Sequence, residues 1–122
     1  MPILFLLVSA VLYGQGGTGA ISGSATDSSG AVVPGTVISA SNEETGFKRD
    51  TTVGTAGEYS LVGLQPGTYT LNAEQKGFKR FTVKGLKLEV DQNERIDVRL
   101  EIGNVSEVVE VTGQAALLQT EQ

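Results

Sequence analysis

The sequence predicts an all-β fold, an antiparallel Greek-key β-sandwich of about seven strands. Three observations predict it. Apolar and polar residues alternate in short runs, as at Tyr59 and Leu61, at Tyr69, Leu71 and Ala73, and from Ile96 through Val98 and Leu100 to Ile102, which is the period of a half-buried strand. The 16 glycines, with abundant Thr, Val and Ser, favour strands and turns, and no segment from Ile21 onward carries a long helical period. Turn chemistry recurs at the interval a sandwich needs, roughly every 8–12 residues.

Each element can be justified in order. Ala20–Thr26 reads as a first strand of small residues. Asp27-Ser28-Ser29-Gly30 is a turn whose Asp and Ser side chains bond back to backbone amides, with Gly30 left-handed. Pro34 leads into a second strand, Thr36–Asn42, with Ile38 and Ala40 on one face, and a polar loop follows to Gly46. Lys48–Val53 is a largely polar third strand and therefore an edge. The strongest local signal runs from Gly57 to Leu71. Tyr59 and Leu61 alternate with Glu58 and Ser60, then Gln65-Pro66-Gly67-Thr68 supplies a type II turn, with Pro66 setting φ and Gly67 taking the positive φ. Alternation resumes at Tyr69, so this stretch is predicted to be a β-hairpin, closed by Lys76-Gly77-Phe78. Phe81 and Val83 alternate, then Leu86, Leu88 and Val90, before a turn at Asp91-Gln92-Asn93. Ile96–Ile102 is the cleanest half-buried strand, and Gly103-Asn104 turns into Val105–Thr112.

Composition excludes several function classes. The chain has no cysteine and no histidine, so disulfides, thiolate metal sites, imidazole ligands and the commonest general base are all missing. The net charge of −5 is carried entirely by residues 91–122, where seven acidic side chains face only Arg95 and Arg99; before that, acidic and basic residues balance. Such a chain lacks the basic face that nucleic acid requires.

Residues 1–14 are predicted to be an export signal: Met1–Leu12 is apolar and uncharged, too short for a membrane-spanning helix of about 20 residues, and small residues follow it. No Lys or Arg precedes the apolar run, so either the α-amino group supplies the positive end or the natural start lies upstream; the competing reading is a buried N-terminal strand. Residues 15–19 are a flexible join, 20–103 the sandwich, and 104–122 a last strand or a linker.

The chemical motifs weigh in favour of structure. Gly14-Gln15-Gly16-Gly17-Thr18-Gly19 matches a dinucleotide fingerprint, but a β-like segment follows it where a helix is needed to hold a pyrophosphate. Glu43-Glu44 and the group Asp91, Glu94, Asp97 read as solvated carboxylates rather than a facing catalytic pair. The turns at Asp27 and Asp91 lack a recognisable calcium spacing, so no metal is assigned. Serines have no histidine to activate them and no nucleophile elbow. No catalytic residue and no cofactor are expected. Phe47 and Phe78 stand beside turn glycines and are the candidates for stacking on a glycan, whereas Tyr59 and Tyr69 keep phase with core leucines. Val108, Val109, Glu110, Val111 and Thr112 have two readings: the last strand of the sandwich, or an extended segment that adds to a partner's sheet.

Gly23 through Pro34-Gly35, the run Gly57-Glu58-Tyr59-Ser60-Leu61, then Gly63-Leu64-Gln65-Pro66-Gly67-Thr68-Tyr69 and Gly77-Phe78 resemble the carboxypeptidase regulatory-like domain. The resemblance implies a transthyretin-like (prealbumin-like), carbohydrate-binding-like β-sandwich. It extends to the copy at the N-terminus of the large Oar-like TonB-dependent outer-membrane receptors, where a signal peptide precedes the domain. There, segments like Val105–Gly113 and Leu117–Glu121 lead into the plug and barrel. What it implies is an exported, non-enzymatic domain of the periplasm or the periplasmic face of the outer membrane. Its partners would be a receptor's plug and barrel or a periplasmic protein, with glycan binding as the alternative. A barrel of about 22 strands cannot be built from these 122 residues, so the expectation is a receptor fragment or a free-standing accessory domain rather than a transporter.

Overall fold

The computed structural model describes residues 17–113. The predicted signal at 1–14, the start of the glycine-rich join and the Leu117–Glu121 segment lie outside the described residues. Among the described residues nine strands follow one another: β1 (Gly19–Asp27), β2 (Val37–Asn42), β3 (Lys48–Thr52), β4 (Glu58–Leu64), β5 (Gly67–Glu74), β6 (Arg80–Leu88), β7 (Asn93–Arg95), β8 (Val98–Leu100) and β9 (Val108–Thr112). They form the expected all-β sandwich. One sheet has the order β4-β1-β7, with β8 also on β1; the other has the order β3-β2-β5-β6-β9. The inward residues of both sheets, among them Ile21, Ile38, Leu61, Leu71 and Val98, make one dry core. The antiparallel expectation holds for the pairs among β1 to β6. The later strands depart from it, because β7 and β8 run parallel to β1 and β9 runs parallel to β6.

The predicted hairpin is a corner between sheets. β4 pairs with β1, whereas β5 pairs with β2 and β6. Gln65-Pro66 carries the chain from one layer to the other: three virtual bonds between Leu64 and Gly67 span about 10 Å, the separation of packed sheets. There is no type II geometry, since Gly67 has φ 158° where that turn needs about +80°. Tyr69 fixes the corner instead, its buried hydroxyl donating to the Gln65 carbonyl at 2.6 Å. A tyrosine reaching back a few residues across such a corner is a recurring device of β-sandwiches.

Two bulges keep the alternation in register with the core. In β4, Leu61 and Leu64 both point inward; in β6, Val83 and Leu86 do. Each pair is three residues apart, an odd spacing that a regular strand cannot bury on one face. The ladder shifts at both places, and Gly63 (φ 69°) and Gly85 (φ 69°) take the left-handed conformation that admits the extra residue.

The expected continuous strand from Ile96 to Ile102 is interrupted. β7 and β8 lie along successive parts of β1, and between them the ladder opens at Ile96-Asp97. Side chains satisfy the freed backbone groups: the Ser24 amide donates to Asp97 Oδ1 at 3.1 Å, and the Ile96 carbonyl accepts the Tyr59 hydroxyl at 2.6 Å. Burial pushes the Tyr59 phenol far above its ordinary range, so it stays a donor. Ile96, Val98 and Leu100 are buried as expected, but Ile102 is 79% exposed, because the chain has left the sheet by then and makes only a single bridge with Phe78. The Asp27 turn forms as expected, with Asp27 Oδ1 accepting from the Ser29 hydroxyl and the Ser29 and Ala31 amides.

Candidate functional site

The two candidate stacking residues come from loops at opposite ends of one sheet. Asn42 ends β2 opposite Tyr69, near the start of β5, and its side-chain oxygen caps the loop by accepting from the Glu44 and Thr45 amides. Phe47 closes that loop and is 42% exposed, with the Arg49 guanidinium 5.5 Å from its ring centroid. Phe78 follows the far end of β5, partly buried against the core. The eight residues of β5 separate the two by roughly 25 Å. The structure therefore does not bring Phe47 and Phe78 into one platform.

Val108–Thr112 is β9, laid along Arg80–Lys84 of β6. Val109 and Val111 are half-buried against the core, while Val108, Glu110 and Thr112 are exposed. Both tyrosine hydroxyls are committed to backbone carbonyls, as the core reading of Tyr59 and Tyr69 implies.

The sequence reading missed a polar hollow of about 370 Å³ on the outer face of the five-stranded sheet, lined by Thr70, Asn72, Arg80, Thr82, Lys84, Val108 and Glu110. These residues occupy outward positions on β5, β6 and β9. Their alternation was readable, but their adjacency depends on the parallel placement of β9, which no local signal announces.

Glu94 departs from its expected place on a solvated face. It is buried in β7, where Gln92 Nε2 donates to it in a close contact and the Gln92 oxygen accepts the Glu89 amide at 2.9 Å. Burial raises its carboxyl pKa above the ordinary 4.5, and the charge of Glu89 adds to the rise. A folded pKa above the unfolded one means that the folded state holds the proton more tightly. This contribution is complete below the unfolded value and is lost as pH rises through the folded value. Glu94→Gln keeps an accepting oxygen for Gln92 and removes the charge. Thermal melts are expected to show the variant more stable than the parent at neutral pH, with the difference vanishing below pH 4.5.

Residues 20–101 match the carboxypeptidase regulatory-like domain. The chain belongs to this family. No curated protein matches the chain. Among solved structures, this carboxypeptidase regulatory-like domain is similar to the Bacillus anthracis TIE protein, with 22% identity and a TM-score of 0.59 over 70% of this chain and 17% of that one. It is also similar to a putative carbohydrate binding protein from Bacteroides uniformis, with 21% identity and a TM-score of 0.55 over 70% of this chain and 42% of that one. A third likeness is to catechol 1,2-dioxygenase from Acinetobacter sp. ADP1, with 8% identity and a TM-score of 0.58 over 84% of this chain and 60% of that one. The chain thus spans less than two thirds of each of these structures. Likeness at such identities establishes the fold alone, and this fold serves dissimilar proteins, so function has to be argued from the surface.

The four sheet edges of this carboxypeptidase regulatory-like domain are unlike one another. β3 exposes Lys48, Arg49 and Asp50, charges that discourage pairing. Arg49 Nη1 also donates to the Val62 carbonyl at 2.6 Å and covers the edge of β4. β7 and β8 are three residues each and broken between. β9 reads Val-Val-Glu-Val-Thr, with β-branched residues at four of five positions and a single charge. It is the least guarded edge among the described residues. No group of three His, Cys, Asp or Glu able to hold a metal occurs among the described residues.

Proposed function

We propose that the chain is a non-catalytic accessory domain of a TonB-dependent outer-membrane receptor, exported to the periplasm and acting by protein contact. The observation that carries this reading is the placement of Val108–Thr112. The segment is both the least guarded sheet edge and the stretch that, in the Oar-like receptors it resembles, leads from this domain towards the plug. A partner strand added to β9 would extend a sheet whose Val109 and Val111 already cover the core from one side. β9 is laced to Arg80–Lys84, and Lys79 lies 3.6 and 3.5 Å from Glu101 and Glu107, so a partner at this edge would meet a strand tied to the body of the sandwich. The aromatic glycan reading gains less support, because Phe47 and Phe78 lie at opposite ends of the sheet.

The test is a blot of fractionated cells with an antibody raised to residues 20–103. The expected result is a single large band in the outer membrane. A band only near this chain's own 12.8 kDa, in the soluble periplasm, would overturn the receptor reading and leave a free-standing module.

A further inference from the structure

We propose that the hollow on the outer face of the five-stranded sheet is a binding site for a neutral glycan chain. The pairing register places Asp50, Ser39, Asn72, Thr82 and Glu110 in one row across the five strands. The short side chains in the middle of that row form the floor. Longer ones rise beside it, each already matched to an opposite charge: Arg80 Nε lies 2.6 Å from Glu74 Oε1, an ion pair off the line of a hydrogen bond, and Lys84 Nζ lies 3.6 Å from Glu110 Oε2. On the floor, Thr82 Oγ1 donates to Asn72 Oδ1 at 2.7 Å, which leaves the Asn72 NH₂ group to donate elsewhere. Thr70 Oγ1 donates to Glu43 Oε1 at 2.8 Å and retains its accepting lone pairs.

The charge arrangement selects the ligand class. Each cation stands beside a carboxylate, so these two pairs present no net charge to favour an anion or a cation. Apolar surface comes from Val108, which is 51% exposed, and from the aliphatic parts of the Thr, Arg and Lys side chains, but a purely apolar molecule would leave the Asn72, Lys84 and Glu110 polar groups unmatched. A neutral polyol breaks neither pair. Neighbouring ring hydroxyls each donate and accept, so they can give to the Glu110 carboxylate while receiving from Lys84, Arg80 and Asn72, and the C–H face of a sugar can rest on Val108. The volume of about 370 Å³ falls in the range of small-ligand sites. It lies open on a sheet face across β5, β6 and β9, a shape that suits a stretch of chain rather than an enclosed monomer. This site is separate from both Phe47 and Phe78, and it is independent of whether the domain belongs to a receptor.

The experiment is an NMR titration of the ¹⁵N-labelled full chain with cellohexaose, xylohexaose and mannohexaose, and with hexagalacturonate as the charged control. At roughly millimolar concentration, at least one neutral hexasaccharide is expected to shift the amides of Asn72, Thr82, Lys84 and Glu110. Lys84→Ala combined with Glu110→Ala changes two half-exposed side chains and is expected to weaken that binding about tenfold or more, with the rest of the spectrum unchanged. Phe47→Ala is expected to leave it unaltered. The proposal is overturned if no neutral hexasaccharide shifts these amides, if the shifts centre on Phe47 or Phe78, if the double variant binds as the parent does, or if hexagalacturonate binds here as tightly as the neutral chains.

Discussion

Gly23→Ala is expected to abolish folding or to destabilise the domain by about 3 kcal/mol or more, beyond the usual range for an added methyl group. A Cβ at this position would stand 1.9 Å from the Ile96 carbonyl oxygen and 2.6 Å from its carbon. Both are backbone atoms, so no side-chain rotamer can yield. Nor can the segment slide away, because it is held on every side. The Ile96 amide donates to the Ser22 carbonyl at 2.8 Å, the Ile96 carbonyl accepts the Tyr59 hydroxyl, and Asp97 holds the Ser24 amide. Tyr59 is also the cross-strand partner of Gly23, so one residue without a side chain lets β1, β4 and the link between β7 and β8 meet at a single carbonyl. A small domain has only about 5–15 kcal/mol of stability in total, which makes such a loss a large share of it. Urea denaturation followed by circular dichroism checks the expectation, with Ser22→Ala as a control expected to cost no more than about 1 kcal/mol, since it removes only the exposed bond to Asn93 Oδ1. A Gly23→Ala protein that unfolds at the parent's midpoint would show that the strands do not approach this closely.

The same region shows where the sequence was readable and where it was not. Tyr59 and Leu61 of β4, Tyr69, Leu71 and Ala73 of β5, and Val98 and Leu100 of β8 were visible from alternation, because burial on one face follows from the pleat alone; Leu64, displaced by the bulge, and Glu94 of β7 were not. What alternation does not carry is the identity of the neighbour. Glu58–Leu64 and Gly67–Glu74 have the inward pattern of a hairpin, yet the same pattern serves two strands in facing sheets, since both point their apolar residues into one core. Gln65-Pro66 was read as a turn on composition; only the Tyr69 hydroxyl, anchored four residues back, distinguishes a corner. The phase change between Val83 and Leu86 was legible as two separate alternating runs, and its cause, a left-handed Gly85, was in the text but its consequence, one continuous β6, was not. Ile96–Ile102 failed at its end, where Ile102 kept the period after the chain had left the sheet.

The candidate sites follow the same division. Phe47 and Phe78 were chosen for their glycine neighbours, a local property; Phe47 stands at the end of the β2–β3 loop and Phe78 follows the turn at Lys76-Gly77 and bridges to Ile102, and their separation across the length of β5 is a property of topology. The polar hollow is the converse case. Thr70, Asn72, Arg80, Thr82, Lys84 and Glu110 are individually ordinary outward residues of strands, and nothing marks them until β9 is placed beside β6. Parallel pairing between strands so far apart in sequence has no turn to announce it.

Tyr69→Ala is expected to cost about 3–5 kcal/mol, whereas Tyr69→Phe is expected to cost about 1–1.5 kcal/mol. The two variants separate what the ring contributes from what the hydroxyl contributes. The ring is wholly buried between the sheets, and its removal leaves a cavity where Leu86 and the strands around it cannot close up without shifting the corner. The hydroxyl contributes a single bond to the Gln65 carbonyl, and its loss leaves that partly buried carbonyl to find another donor. The comparison also decides what the corner does for the outer face. A slip of β5 by one residue would turn Thr70 and Asn72 into the core and bring Tyr69 and Leu71 to the surface. If the corner bond alone prevented that slip, Tyr69→Phe would destabilise the domain as much as Tyr69→Ala does. Tyr69, Leu71 and Ala73 are all buried, however, and each also has a paired neighbour in β2 and β6, so the register is held by packing and ladder together. The expected outcome in urea titration is therefore a lower midpoint for Tyr69→Phe with an unchanged denaturant slope, and with the amide shifts of Thr70 and Asn72 retained. Loss of the parent amide shifts of Thr70 and Asn72 in Tyr69→Phe would mean that the corner bond, rather than the core, sets which residues of β5 face outward.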